Sequence, residues 1–167
     1  MKIFLLGFMG SGKTYGGRFW ARQAGMQFID LDAVIEGQLK KSVADIFEIE
    51  GEAYFRKMEA TLLRSFAAED NCLIACGGGT PCFADNMDWM NENGLTVYLR
   101  ATPQYIYERL LDETEQRPLL KNINPAELLF FIEQKLKERL PFYEQAQKKM
   151  DTEHLQEGSL AECIHKQ

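Results

Sequence analysis

The sequence predicts an α/β fold in which a parallel sheet is covered by helices on both faces. Three observations carry that prediction. Apolar segments of strand length alternate along the chain with segments of helical periodicity. The strand candidates are apolar, as in sheets buried on both faces. No long linker, repeat or low-complexity segment divides the 167 residues, a single-domain length with 46% hydrophobic residues, enough for a core.

In chain order, the first strand is expected at 2 to 6, followed directly by GFMGSGKT at 7 to 14 and a helix over 13 to 24. Lys2 and the apolar run do not make a secretory signal, because Gly7, Gly10 and Lys13 interrupt it and no small-residue cleavage site follows. A second strand, MQFI at 26 to 29, leads into Asp30-Leu31-Asp32 and a helix over 32 to 38. Phe55, Met58, Leu62 and Phe66 recur at helical spacing. A third strand, CLIAC at 72 to 76, runs into Gly77-Gly78-Gly79-Thr80-Pro81, and Gly94 marks a helix stop before the strand LTVYL at 95 to 99. Asn124-Pro125 reads as an N-cap followed by proline at the first helical position, opening a long helix that Pro141 kinks or ends. A fifth strand is expected at 148 to 152.

The chemistry starts at 7 to 14. Gly7, Gly12, Lys13 and Thr14 fit G-x-x-x-x-G-K-[ST], the phosphate-cradling loop. Glycines leave backbone N–H groups free to converge on phosphate oxygens, the lysine reaches the β and γ phosphates, and the hydroxyl ligates Mg²⁺. A strand before the loop and a helix after it supply the required context, the helix adding its positive dipole end. A bare strand-to-helix turn would explain the glycines but not Lys13 and Thr14.

In open parallel sheets ligands bind beyond the carboxyl ends of the strands, so the segments after the second and third strands matter most. Asp30 or Asp32 could simply cap the helix that follows. Beside a phosphate loop, one carboxylate can instead order Mg²⁺-bound water while the other accepts the proton of an attacking hydroxyl. Three consecutive glycines cost backbone entropy, which favours a site needing bare N–H groups near a ligand over an ordinary loop. Arg56 and Glu59, three apart in GEAYFRKME, are either a solvated helix pair or a carboxylate orienting a guanidinium fork toward a substrate's acid group. Residues 112 to 124 are polar and weakly periodic, suited to a lid that excludes water.

Composition sets the surroundings. The net charge of -6 and the lack of a basic stripe argue against a nucleic-acid partner, and no apolar run reaches the roughly 18 residues of a membrane span. Cys72, Cys76, Cys82 and Cys163 form no C-x-x-C pair, and His154 and His165 lie near the tail, so zinc is not expected. Free thiols in a reducing cytoplasm are the plain reading, with Cys72 and Cys76 acting as small apolar residues of a buried strand.

Taken together, GFMGSGKT, Asp30-x-Asp32, GEAYFRKME, the glycines at 77 to 79, RPLL at 117 to 120 and ERLPFYEQA at 138 to 146 resemble the shikimate kinases over nearly the whole chain and in family order. The resemblance implies a three-layer P-loop kinase fold: a five-stranded parallel sheet, a small substrate-binding subdomain at about 32 to 60 and a mobile lid at about 112 to 124. It implies transfer of the γ-phosphoryl group of ATP to the 3-hydroxyl of shikimate, with Mg²⁺ as cofactor, in a cytoplasmic monomer. By motif, Gly10, Ser11, Gly12, Lys13, Thr14 and Tyr15 bind ATP, and Arg117 reaches its phosphates from the lid. Lys13, Asp32 and Arg117 act in catalysis. Asp32, Arg56, Gly78 and Arg139 bind shikimate, with Phe47 and Phe55 lining its ring. Thr14 holds the metal directly and Asp30 through water. Arg109 resembles an adenine-stacking arginine. Two other readings remain: a kinase of another hydroxy acid such as gluconate, and a nucleotide-binding regulatory module with no phosphoryl acceptor.

Overall fold

A computed structural model describes residues 1–113, 124–154 and 159–165. Five strands, β1 (Lys2–Leu6), β2 (Gln27–Asp30), β3 (Cys72–Ala75), β4 (Leu95–Arg100) and β5 (Lys148–Asp151), form one sheet in the order β2-β3-β1-β4-β5. Every neighbouring pair is parallel. The helices are α1 (Lys13–Gln23), α2 (Leu31–Leu39), α3 (Val43–Ile49), α4 (Glu52–Ser65), α5 (Asn86–Asn93), α6 (Pro103–Glu113), α7 (Pro125–Tyr143) and α8 (Ser159–His165), with a 3₁₀ turn at Thr80–Cys82. The strands lie within a residue of the expected positions, since the bounds of β1 to β4 follow from where the apolar runs stop.

Successive strand residues face opposite sides, and along the central strands β1, β3 and β4 both sides are buried, as a doubly covered sheet requires, while the outer strands β2 and β5 are covered only in part. Phe4, Leu6, Ile74 and Tyr98 join one core with Phe55, Leu63, Met90, Ile106, Leu110 and Ile132 from α4, α5, α6 and α7. Ile3, Leu5, Leu73, Val97 and Leu99 join a second core with Trp20 and Ala21 of α1 and Leu160 of α8.

Local signals end the helices much as expected. Asn124 caps α7, its side chain accepting from the Ala126 amide at 3.2 Å, with Pro125 at the first position. Pro141 ends α7 within a turn rather than at once, the helix running on to Tyr143. Gly94 does follow α5, but at φ 178 it is extended backbone open to any residue. Its glycine is needed for another reason: a Cβ there would lie 2.7 Å from the Lys2 carbonyl and 2.8 Å from the Phe4 ring. Of the expected lid, residues 114 to 123, and with them Arg117, lie outside the described residues.

Register then positions the site. Ala75 of β3 pairs with both Leu5 of β1 and Asp30 of β2. The loop after β1, the carboxylates after β2 and the glycines after β3 therefore leave the sheet side by side.

Candidate active site

The loop between β1 and α1 adopts a shape that glycine alone takes easily, with φ of 147, 78 and 89 at Gly7, Gly10 and Gly12. Gly12 caps α1 with no side-chain hydrogen bond, and the first turn carries no acidic residue. The N-terminal amides and positive dipole end of α1 thus remain uncompensated by side chains, which is what an anion needs. Lys13 folds back over the loop, its Nζ donating to the Gly7 and Phe8 carbonyls, both at 2.8 Å. Ser11 is fully buried and its Oγ has no hydrogen-bond partner among the described residues, while its amide donates to the Phe8 carbonyl at 3.1 Å. Its side chain packs under the loop; Gly10, Gly12, Lys13, Thr14 and Tyr15 line the cleft above, of about 760 Å³. Arg18, Arg22 and Arg109 line it too, so an acidic chain concentrates four cations at one cleft.

Across the cleft, Thr14 Oγ1 donates to Asp30 Oδ2 at 2.8 Å, and Asp30 Oδ1 caps α2 by accepting from the Ala33 amide at 3.2 Å. Both readings of Asp30 are thereby compatible, since each carboxylate oxygen serves a different partner. These adjacent hard oxygen donors fit Mg²⁺, which takes few protein ligands and fills its octahedron with phosphate and water oxygens. Asp32 makes no hydrogen bond to the described residues. Burial, followed by the charges of Glu59 and Asp30, pushes its carboxyl up to about 6, with Lys13 pulling the other way.

The triple glycine gathers the remaining groups. A Cβ on Gly77 would lie 2.9 Å from Asp32 Oδ1 and 3.0 Å from Glu59 Oε1. One on Gly78 would lie 3.0 Å from Arg139 Nη1, and one on Gly79 would lie 2.8 Å from Arg56 Cζ. Three successive residues thus give room to an acid, a first arginine and a second arginine. Arg56 and Arg139 stand beside these glycines rather than on the walls of the phosphate cleft. Arg139 also lies over the Phe8 ring, 5.2 Å from its centroid. Phe47 and Phe55 pack together at 4.8 Å and face the Arg56 guanidinium at 5.6 and 5.2 Å.

Glu59 is the hub behind them. It is 0% exposed, accepts from Arg56 Nη1 at 2.8 Å through Oε2, and accepts from Thr80 Oγ1 at 2.5 Å through Oε1. The Arg56–Glu59 pair is therefore a buried, hydrogen-bonded ion pair and not a solvated one. Sequence reasoning did not find Thr80 or Tyr143. Thr80 is fully buried, and Tyr143 donates to the Gly78 carbonyl at 2.5 Å while stacking on Tyr98 at 4.9 Å. Their signals were position alone: Thr80 directly after the glycines, Tyr143 within ERLPFYEQA. Arg109 Nη1 would stand 3.5 Å from a Cβ on Gly12 and bonds Tyr105 Oη at 3.0 Å, which places it at the mouth of the phosphate loop.

Comparison with known proteins agrees with this geometry. The shikimate kinase family model matches residues 9–167. A shikimate kinase of Bacteroides thetaiotaomicron is 43% identical over 157 residues, covering 94% of this chain and 90% of the relative. The crystal structure of shikimate kinase from that organism superposes with a TM-score of 0.95 at 40% identity, over 99% of each chain. Shikimate kinase from Acinetobacter baumannii in complex with shikimate superposes with a TM-score of 0.84 at 34% identity, covering 98% of this chain and 89% of that one. With a phosphate loop, an aspartate and two arginines brought to one edge of a five-stranded parallel sheet, and with relatives alike along nearly its whole length, this chain belongs to the shikimate kinase family.

Proposed function

We propose that the chain transfers the γ-phosphoryl group of ATP to the 3-hydroxyl of shikimate, giving 3-phosphoshikimate and ADP, a step toward chorismate and the aromatic amino acids. One observation carries this reading: Gly77, Gly78 and Gly79 meet Asp32, Arg139 and Arg56 in turn, beside the phosphate loop. A substrate with one acid group and several hydroxyls matches two guanidinium forks and a single partly buried carboxylate. The regulatory-module reading has no use for that cluster.

In this reading Gly10, Ser11, Gly12, Lys13, Thr14 and Tyr15 hold ATP. Lys13 exchanges its two loop carbonyls for phosphate oxygens, and Arg117 reaches the phosphates from a lid at about 112 to 124. Thr14 directly and Asp30 through water would hold Mg²⁺, which would supply charge neutralisation at the phosphates. Arg56 and Arg139 grip the shikimate carboxylate, Gly78 adds a backbone contact, and the segment from about 32 to 60 forms the substrate-binding subdomain. Asp32, ionised at neutral pH with a carboxyl pushed up only to about 6, orients the 3-hydroxyl and takes its proton as the oxygen bonds phosphorus. The protein acts as a cytoplasmic monomer, with ATP and shikimate as its partners and neither nucleic acid nor membrane. Free thiols at all four cysteines suit that compartment. Among the described residues no helix is long and apolar enough to cross a membrane.

The test is ADP release from Mg·ATP with shikimate, with gluconate and with neither, plus phosphorus NMR of the product. Turnover with shikimate alone and a 3-phosphate product are expected. ADP release indifferent to shikimate would refute the reading and leave only the nucleotide site.

A further inference from the structure

Arg56 is held more closely than a surface arginine. Glu52 Oε1 accepts from its Nε at 3.2 Å and from Nη2 at 3.1 Å, and Glu59 Oε2 accepts from Nη1 at 2.8 Å. Three of its five N–H groups are engaged among the described residues, leaving one on each terminal nitrogen, the pair that a carboxylate can take in bidentate fashion. Those bonds fix the edges of the guanidinium. Its plane is set by residues that flank the 3₁₀ turn Thr80–Cys82. The Phe83 ring centroid lies 4.4 Å from Arg56 Cζ, nearer than Phe55 or Phe47. At the other end of the turn, Gly79 lies so close that a Cβ would fall 2.8 Å from Cζ and 2.9 Å from Nη1. Gly79 has φ -93 and ψ -14, which any residue can adopt, so what it supplies is space and not backbone freedom. One short turn, stiffened by Pro81 and closed by the Cys82 amide on the Gly79 carbonyl at 2.9 Å, brings both residues to one guanidinium.

We propose that Gly79 and Phe83 are positioning residues that together form a slot for the Arg56 guanidinium and hold it in the plane from which it grips the substrate's carboxylate. This rests on the reading of Arg56 as a carboxylate anchor. The three atoms nearest a Cβ at Gly79 all belong to the Arg56 guanidinium, so alanine there displaces Arg56 and no backbone. Phe83 is 39% exposed, so its truncation opens no deep cavity.

The experiment measures kcat, the KM for shikimate, the KM for ATP and Tm for Gly79→Ala, Phe83→Ala, Phe83→Leu, Arg56→Ala and Arg56→Ala/Gly79→Ala. Phe130→Ala, at a side chain of α7 that is 63% exposed and has no part in the site, is the control. Gly79→Ala, Phe83→Ala and Phe83→Leu are expected to raise the KM for shikimate roughly three- to thirty-fold, with the KM for ATP unchanged; Tm should hold in the two Phe83 variants and fall in Gly79→Ala, where displacing Arg56 takes a donor from buried Glu59. Gly79→Ala should add nothing once Arg56 is alanine. If Arg56→Ala raises that KM and the slot variants do not, the slot is refuted and the anchor stands. If Arg56→Ala leaves it unchanged, the anchor is refuted and the slot with it. Should Gly79→Ala fail to fold, the two Phe83 variants decide the matter.

Discussion

Replacing Asp32 by asparagine is expected to stabilise the folded chain at pH 8 while abolishing most of its activity. The carboxyl is moved from an ordinary 3.8 to about 6 by burial and by the neighbouring charges of Glu59 and Asp30. A raised carboxyl means that the folded state binds the proton more tightly than the unfolded one. Stability therefore falls as pH rises through the window from about 4 to about 6, and the deficit is complete above it. At about 1.4 kcal/mol per pH unit, that interval sets an upper bound of about 3 kcal/mol. Asp32 keeps part of its surface in water, so solvent screening reduces the expected gain to about 1 to 2 kcal/mol. Asparagine is isosteric, and Asp32 makes no hydrogen bond to the described residues that the change would break. The assay is urea denaturation of wild type and Asp32→Asn, without nucleotide or Mg²⁺, at pH 4, 6 and 8. The variant should gain at pH 8, gain less at pH 6, and match wild type at pH 4. A variant less stable than wild type at pH 8, or a difference independent of pH, would refute the claim that Asp32 is held against its solvation preference.

With Asp32 as proton acceptor, kcat/KM for shikimate should fall as pH drops through about 6, and a profile flat to pH 5 would remove it from that role. Thr80→Val takes the 2.5 Å hydroxyl from buried Glu59 and is expected to cost about 1 to 3 kcal/mol, read as a lower urea midpoint at constant m-value. A loss below about 0.5 kcal/mol would mean that Glu59 finds another donor. Tyr143→Phe keeps the stack on Tyr98 but leaves the Gly78 carbonyl unpaired, at a cost of about 1 kcal/mol and with a raised KM for shikimate. An unchanged KM would confine Tyr143 to a purely structural part.

β1 to β4 were legible because each is built on a short apolar run bounded by polar or glycine residues, and β1 and β4 begin at their expected residues; β5, with Met150 as its one apolar residue, carries the weakest such signal. Asn124 and Pro125 were legible as a helix start because capping is decided within three residues. Gly94 was located but not explained, since the Lys2 carbonyl and Phe4 ring it accommodates come from a distant strand. For Arg56 and Glu59 the sequence left two options open, and burial chose between them. A helix shows only that residues three apart share a face, while Thr80 and the sheet behind decide whether that face meets water.

The phosphate loop belongs to what the sequence determined by itself. Its work is done by backbone amides of contiguous residues, by glycines whose φ angles are local, and by the helix that follows. Tertiary structure alone decided the rest of the site: which glycine faces which side chain, the hub role of Glu59, and the raised carboxyl of Asp32. Those properties depend on desolvation and on charges acting through space, and their sources sit on β2, α4, α7 and the turn after β3. No local pattern records such distances, whereas the parallel register that pairs Ala75 with both Leu5 and Asp30 brings them together.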